Sequence, residues 1–174
     1  MEARVKVLGH PVHQMLIVLP LGLLSGAVIF DVLYLLSGDL QWVTVSYWLI
    51  PAGVVTGLIA ALFGVADWTK IPRATRAKSV GTRHGLGNVL VVVLFLVSWL
   101  LRDGPIARPG LVAIVLALAG GALSMVTGWL GGELVGRLGV GVDDGAHLDA
   151  PSSLAGRPAS SLPERGRKPP SPRA

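Results

Sequence analysis

The chain has 174 residues, of which 52% are hydrophobic and only 14% are charged, with a formal net charge of +5. A soluble domain is usually about 25% charged, so the composition argues against a soluble protein and favours one embedded in a bilayer. The sequence contains no cysteine, which excludes disulfides, thiolate metal sites, cysteine nucleophiles and iron–sulfur clusters held by four cysteines of this chain.

The first predicted span covers residues 12–36 and opens at Gly9-His10-Pro11-Val12-His13. His10 is expected to be the helix N-cap, with Pro11 at the first helical position, where its missing N–H costs nothing. His13 then lies in the first turn. The apolar run is longer than that of a signal peptide and lacks a clean cleavage site, so we interpret it as a retained span.

Two residues inside this span depart from its apolar character. Pro20 removes one backbone hydrogen bond and should kink the helix. Asp31 lies near the far end of the span. We interpret Asp31 as an interfacial carboxylate that reaches toward water, with a functional role as the alternative.

Three further apolar runs complete a predicted membrane domain of residues 1–145. Spans are expected at residues 47–66, 84–101 and 110–130, each suited to a hydrocarbon layer of about 30 Å. Residues 146–174 are rich in Pro, Ser, Gly and Arg, which predicts a disordered basic tail. The expected fold is therefore an all-α integral membrane four-helix bundle with a disordered C-terminal tail.

Lysine and arginine set the expected orientation. The N-terminus, the second loop and the tail are rich in both, whereas the first loop has none and the third has only Arg102 and Arg108. The positive-inside rule then places both termini in the cytoplasm, with the protein in the cell (inner) membrane. The basic second loop has no interleaved aromatic residues, so we expect no nucleic-acid binding.

This topology brings five groups that can ligate or titrate to one membrane face, although they are distant in sequence. They are His10, His13, Asp67, His84 and Glu133. Burying such groups near hydrocarbon is costly, so we expect them to satisfy one another or a ligand. Asn88 lies one turn beyond His84 on the same helical face.

Three functional roles for these five residues remain open. The simpler alternative is a structural role, in which the groups only cap helix ends and bond to each other. Two histidines on facing helices, His13 and His84, can be the axial ligands of a b-type haem. Histidines with carboxylates can hold Zn²⁺, Fe²⁺ or Mn²⁺. They can also form a proton relay, because histidine titrates near neutral pH.

A weak internal repeat relates the two halves of the membrane domain. Each half begins with a histidine and ends with Gly, Trp and an acid: His13 and Asp67 mark the first half, His84 and Glu133 the second. Small-xxx-small spacing favours close packing of helices and permits a homo-oligomer without requiring one. The spaced pairs are Gly22/Gly26, Gly53/Gly57 and Gly128/Gly132.

Five short motifs occur in order along the chain. They are His10-Pro11-Val12-His13, Gly64-Val65-Ala66-Asp67-Trp68, Arg83-His84, Gly128-Trp129-Leu130-Gly131-Gly132-Glu133-Leu134-Val135 and Gly139-Val140-Gly141-Val142-Asp143. Together they resemble a family of predicted bacterial membrane proteins, domain of unknown function 2231 (DUF2231). The resemblance covers about residues 9–144. It implies that the family's marked positions are His10, His13, Asp31, Asp67, His84 and Glu133 here.

The resemblance also implies a direction for function. Some relatives look fused to a Rieske-type iron–sulfur domain, which suggests membrane redox work. This chain has no such domain and no cysteine, so electron transfer would need another cofactor or a redox partner protein.

The leading hypothesis is a membrane redox or metal-binding subunit with a His/carboxylate site at the cytoplasmic face, holding haem b or a divalent metal. His13 and His84 are the expected ligands, with Asp67 and Glu133 as supporting partners or further ligands. The alternative is a non-catalytic membrane scaffold, or a small transport component, whose polar cluster only stabilises the bundle. No P-loop, G-x-S-x-G, H-E-x-x-H or dinucleotide motif occurs in the sequence. The sequence does not decide whether the protein is an enzyme, and we favour the interpretation that it is not.

Overall fold

The computed structural model describes residues 1–162 of the chain, and this part is mostly helical. Within it, four helical segments are long and apolar enough to cross a membrane: Val12–Ser37, Leu40–Lys70, Arg76–Leu100 and Leu111–Gly136. The prediction of an all-α bundle with four spans is confirmed.

The elements follow one another with short connections. Two strands, β1 (Lys6–Val7) and β2 (His10–Pro11), precede the helices. The first span consists of α1 (Val12–Leu16) and α2 (Val18–Ser37), and the other spans are α3 (Leu40–Lys70), α4 (Arg76–Leu100) and α5 (Leu111–Gly136). After α5, the described chain consists of turns and one 3-10 helix at Ser153–Ala155. The remainder of the predicted disordered tail, residues 163–174, lies outside the described residues.

The helices extend beyond the predicted spans. α3 begins seven residues before Tyr47, and α4 begins eight residues before His84. Apolar composition marks only the part of a helix that lipid surrounds, whereas the ends depend on capping. The Asp39 side chain accepts a hydrogen bond from the backbone N–H of Gln41, and Thr75 accepts one from Lys78 in the same way. At 31 residues α3 is about 46 Å long, well over the thickness of the hydrocarbon layer.

The start of the first span differs from the prediction. His10 is not a helix cap, because it pairs with Val7 in a two-stranded hairpin while Pro11 pairs with Lys6. The turn of this hairpin has positive φ at Leu8 and Gly9, 51° and 84°. The helix begins at Val12, whose N–H is satisfied by the carbonyl of Val5 rather than by a capping side chain.

The predicted effect of Pro20 is visible as an interruption of the first span. The regular helix breaks at Ile17, between α1 and α2. Pro20 has no N–H to donate to the carbonyl of Leu16, four residues earlier, so the helical hydrogen bonds lapse at this turn. The N–H of Leu21 resumes the pattern by bonding to the carbonyl of Ile17 at 3.1 Å.

Sequential helices form the most extensive contacts of the bundle, α2 with α3 and α4 with α5. The two pairs join through α3 against α4 and α2 against α5, around a core that includes Ile50 and Phe95. A Cβ on Gly53 would lie 2.6 Å from the Leu24 side chain, and one on Gly120 would lie 2.8 Å from the Phe95 ring. These two glycines therefore allow the close approach of neighbouring helices.

The predicted glycine pairs contribute unequally to packing. Gly53 and Gly57 both lie at helix contacts, as expected. Among residues 1–162, a Cβ on Gly128 or Gly132 would meet nothing within 4 Å, so this pair faces away from the other described helices.

Both ends of the membrane domain lie on one side of the bundle. The N-terminal amine donates to the carbonyl of Gly139 at 3.0 Å, and the N–H of Arg4 donates to the Asp67 carboxylate at 2.6 Å. Lys6 pairs with Asp143, and at 2.9 Å with Glu2, and these hydrogen bonds raise the pKa of Lys6 above its usual 10.5. The N-terminal hairpin thus joins the end of α3 to the segment that follows α5.

Candidate functional site

The five predicted site residues lie on the same side of the bundle but at two different depths. Asp67 and Glu133 lie near the ends of α3 and α5. His13 contacts Ala60, seven residues before Asp67 in α3, which is about 10 Å deeper along the helix axis. His84 contacts Thr127, nine residues before the end of α5. The two histidines therefore form an inner pair, and the carboxylates form an outer group.

His13 is held by the helix that follows it. Its ring Nδ1 lies 2.9 Å from the carbonyl oxygen of Ala60 in α3. One turn further along α3 is Gly64, where an added Cβ would lie 2.8 Å from the Cε1 atom of the imidazole. The glycine thus leaves room for the ring to lie flat against the α3 backbone.

His84 is held in the same way in the second half of the chain. Its Nδ1 lies 2.8 Å from the carbonyl oxygen of Thr127 in α5. One turn further along α5 is Gly131, where an added Cβ would lie 3.2 Å from the imidazole Cε1. The same arrangement thus occurs in both halves of the chain. A histidine on one helix contacts a backbone carbonyl of the next long helix, and a glycine four residues after that carbonyl makes room for the ring.

These contacts fix the tautomer of both rings. A carbonyl oxygen only accepts, so the Nδ1 atom of each neutral imidazole carries the proton and donates it. The Nε2 atom of each ring then carries the lone pair, the form in which histidine binds a metal, and in His84 this atom lies 3.2 Å from the Asn88 amide nitrogen.

Asn88 and Thr127 complete the surroundings of His84. Asn88 lies one turn beyond His84, as expected, and its amide Nδ2 is 2.9 Å from the His84 carbonyl oxygen and 3.2 Å from Nε2. The Thr127 hydroxyl donates to Asn88 Oδ1 at 3.0 Å. The sequence reasoning did not single out Thr127, because its role here depends on its backbone carbonyl, which every residue carries.

The outer residues have partners of their own. The Asp67 carboxylate accepts from the N–H of Arg4, and Glu133 forms a salt bridge with Arg76 at 2.6 Å. His10 is exposed, with its Nε2 3.5 Å from the Ser153 hydroxyl. Across residues 1–162, no group of three or more His, Asp or Glu side chains is arranged to hold a metal ion. The structure therefore places His13 and His84 each against a backbone carbonyl of the next long helix and leaves His10, Asp67 and Glu133 in separate contacts.

Asp31 lies at the other end of the bundle, and its surroundings correct the sequence interpretation. It is not an interfacial carboxylate reaching for water, because its side chain is 0% exposed. The Arg102 guanidinium, 1% exposed, pairs with it in a two-pronged contact: Nη1 to Oδ1 at 2.9 Å and Nη2 to Oδ2 at 2.6 Å. The hydroxyls of Ser46 and Ser98 also contact Arg102.

A signal for this pair exists in the sequence. Asp31 near the end of the first span and Arg102 after the third are opposite charges at the same membrane level. Because Arg102 follows the apolar run of the third span, the sequence pattern assigns it to a loop and does not connect it with Asp31.

Comparison with known proteins gives one match. A family model described as "Predicted membrane protein (DUF2231)" matches residues 9–144. No curated protein and no solved structure matches the chain.

Proposed function

The chain belongs to the DUF2231 family of predicted membrane proteins, and from its two matched histidines we propose that it is a membrane electron-transfer subunit that holds a b-type haem between His13 and His84. The observation that carries the proposal is the repeated contact of each imidazole Nδ1 with a backbone carbonyl of the next helix, at 2.9 and 2.8 Å. The haem, when bound, would supply reversible one-electron chemistry.

The carbonyl contacts do what supporting groups do around metal-binding histidines. A ligating histidine almost always donates its other ring N–H to a carboxylate, a carbonyl or water, which fixes the ring and leaves the second nitrogen for the metal. Ala60 and Thr127 supply those carbonyls on rigid helices. Gly64 and Gly131 allow each ring to approach its helix closely.

A group that needs two axial ligands suits this chain better than a divalent metal. A b-type haem would be held by two histidines, and the chain offers one from each of its halves, His13 and His84. A metal site that added Glu133 or Asp67 to the inner pair would have to release the Arg76 salt bridge or the Arg4 contact, whereas a haem would have to displace only the Asn88 amide from His84 Nε2. The divalent-metal version of the hypothesis therefore ranks second.

The orientation and location follow from charge. Lysines and arginines near the histidine side lie in the N-terminal segment, in the loop between α3 and α4 and in the first turns of α4. By the positive-inside rule we place this side, with both termini, in the cytoplasm, and the protein in the inner membrane. The same basic surface suits an acidic redox partner protein.

The second candidate is a membrane scaffold without a cofactor. The specific observation in its favour is that protein groups already satisfy much of the polar cluster, since Asn88 contacts both His84 and Thr127. In that case the two histidines act only to hold α1 against α3 and α4 against α5.

The experiment is an absorption spectrum of the full chain, expressed with a haem precursor and purified in mild detergent. We expect a Soret band at about one haem per chain, lost in His13→Ala and His84→Ala and kept in His147→Ala, whose histidine lies in an exposed turn after α5. His84→Met should keep the band while raising the reduction potential, because methionine is also an axial ligand.

Two other results would separate the alternatives. A colourless chain with stoichiometric metal that His10→Ala removes would favour the divalent-metal version. A colourless, metal-free chain, in which His13→Ala lowers thermal stability only, would favour the scaffold and end the haem proposal.

A further inference from the structure

A small cavity lies at the end of the bundle opposite the two histidines. It has a volume of about 140 Å³ and is lined by Tyr47, Trp99, Leu100 and Arg102. Tyr47 and Trp99 form one aromatic wall, with ring centroids 5.7 Å apart. Since one water molecule occupies about 30 Å³ of the liquid, the cavity has room for a group larger than a single water.

Two of the residues that line the cavity carry buried donors without acceptors. Within residues 1–162, Trp99 Nε1 and Arg102 Nε are the buried side-chain nitrogens that have no hydrogen-bond partner. Both atoms can only donate, so a matching occupant must offer an acceptor. Buried donors are nearly always paired in folded proteins, so an orphan on each of two residues that line one cavity points to an acceptor that the described chain does not supply.

The charge around the cavity selects an uncharged acceptor. The guanidinium of Arg102 already pairs with Asp31 through both of its terminal nitrogens. A second anion would share this one positive charge with a fully buried carboxylate, which is unfavourable at low dielectric. A neutral oxygen, such as a carbonyl, uses the two free N–H groups without that cost.

The position of the cavity indicates where the occupant comes from. Leu100 is 64% exposed on the surface of a spanning helix. Trp48, which packs edge-on against Tyr47 with centroids 5.3 Å apart, is 60% exposed beside it. Tryptophan and tyrosine concentrate where the hydrocarbon layer meets the headgroups, and this composition fits a cavity at that level of the membrane.

We propose that this cavity binds the carbonyl oxygen of a lipid-soluble molecule, with the Trp99 indole N–H and the Arg102 Nε–H as donors. Two sources share this chemistry: the ester carbonyl of a phospholipid and the ring carbonyl of a quinone. The inference does not depend on the haem proposal, because it uses residues at the opposite end of the bundle.

The test is the indole ¹⁵N–¹H spectrum of the full chain in lipid nanodiscs. The chain has five tryptophans, and Trp99→Phe identifies the Trp99 signal while keeping an aromatic wall. Spectra are compared in nanodiscs of a diester phospholipid, in nanodiscs of a diether phospholipid with the same headgroup, and after addition of decylubiquinone. The Trp48 signal is the reference, since Trp48 lies at the same level but outside the cavity lining.

Each outcome bears on the proposal. A Trp99 signal that shifts between diester and diether lipid identifies the phospholipid ester as the occupant, and one that shifts on adding decylubiquinone identifies a quinone. In the quinone case, Trp99→Phe should weaken binding about three- to tenfold, the effect of one hydrogen bond, while Trp48→Phe should not change it. A Trp99 signal that stays fixed in all three conditions and exchanges with D₂O as fast as that of Trp48 would mean that only water enters, and would overturn the proposal.

Discussion

Replacing Asp31 by Asn should be among the most damaging single substitutions in this chain. The two side chains are nearly the same size, so packing is preserved while the negative charge is removed. Arg102 then keeps its positive charge at 1% exposure with no counter-charge from Asp31. Removing one partner of a buried ion pair costs about 3–5 kcal/mol, because the other charge is left buried and unpaired. We expect a loss of unfolding free energy in that range.

The assay is reversible unfolding in mixed micelles, followed by far-UV circular dichroism, in a double-mutant cycle with Arg102→Leu. Both single variants should be strongly destabilised, and Asp31→Leu/Arg102→Leu should recover much of the loss, because the apolar pair leaves no charge behind. Asp103→Asn is the matched control, since Asp103 is exposed beside Arg102. If the two single variants each unfold like the control and their effects simply add, the ion pair is not the stabilising contact described here.

Two further substitutions test the histidine side of the bundle. Gly64→Ala would place a methyl group 2.8 Å from the His13 ring, so it should lower both the thermal stability and any Soret absorbance. Gly132→Ala is the control and should change neither, because a Cβ there meets nothing within 4 Å among the described residues. Equal effects from the two substitutions would contradict the placement of the His13 ring. Because hydrogen bonds to acids raise the pKa of Lys6 above 10.5, its contribution to stability is complete below pH 10.5 and is lost as the pH rises through the raised value. Lys6→Met should abolish this alkaline step in a melting-temperature profile, and a step that persists would assign it to another group.

The number and type of spans could be predicted because lipid leaves the backbone little choice. An apolar run of about 20 residues must form a helix to satisfy its own hydrogen bonds, and the four runs did so. The helix ends could not be predicted in the same way. They depend on individual capping contacts in polar surroundings, such as those of Asp39 and Thr75, and on the turn at Gly9 that puts His10 into a strand.

The candidate site was only partly accessible to sequence reasoning. Span counting and charge brought His13 and His84 to one side of the membrane, since both lie near the same ends of their helices. The sequence does not indicate that backbone carbonyls hold both imidazole rings, because every residue type has a backbone carbonyl. Span counting also gives only the membrane side of a residue and not its depth along the helix. It therefore predicts Asp67 and Glu133 beside the histidines, whereas the structure has them in contact with Arg4 and Arg76.

The bond between Asp31 and Arg102 has a consequence for biogenesis. A growing chain enters the membrane from its N-terminus, so Asp31 arrives with the first span while Arg102 emerges only after the third. Until then the carboxylate has no counter-charge from Arg102 and stays near the headgroups, so the early helical hairpin cannot reach its final depth. A nascent chain halted before α4 would thus carry an unpaired acid in its first segment.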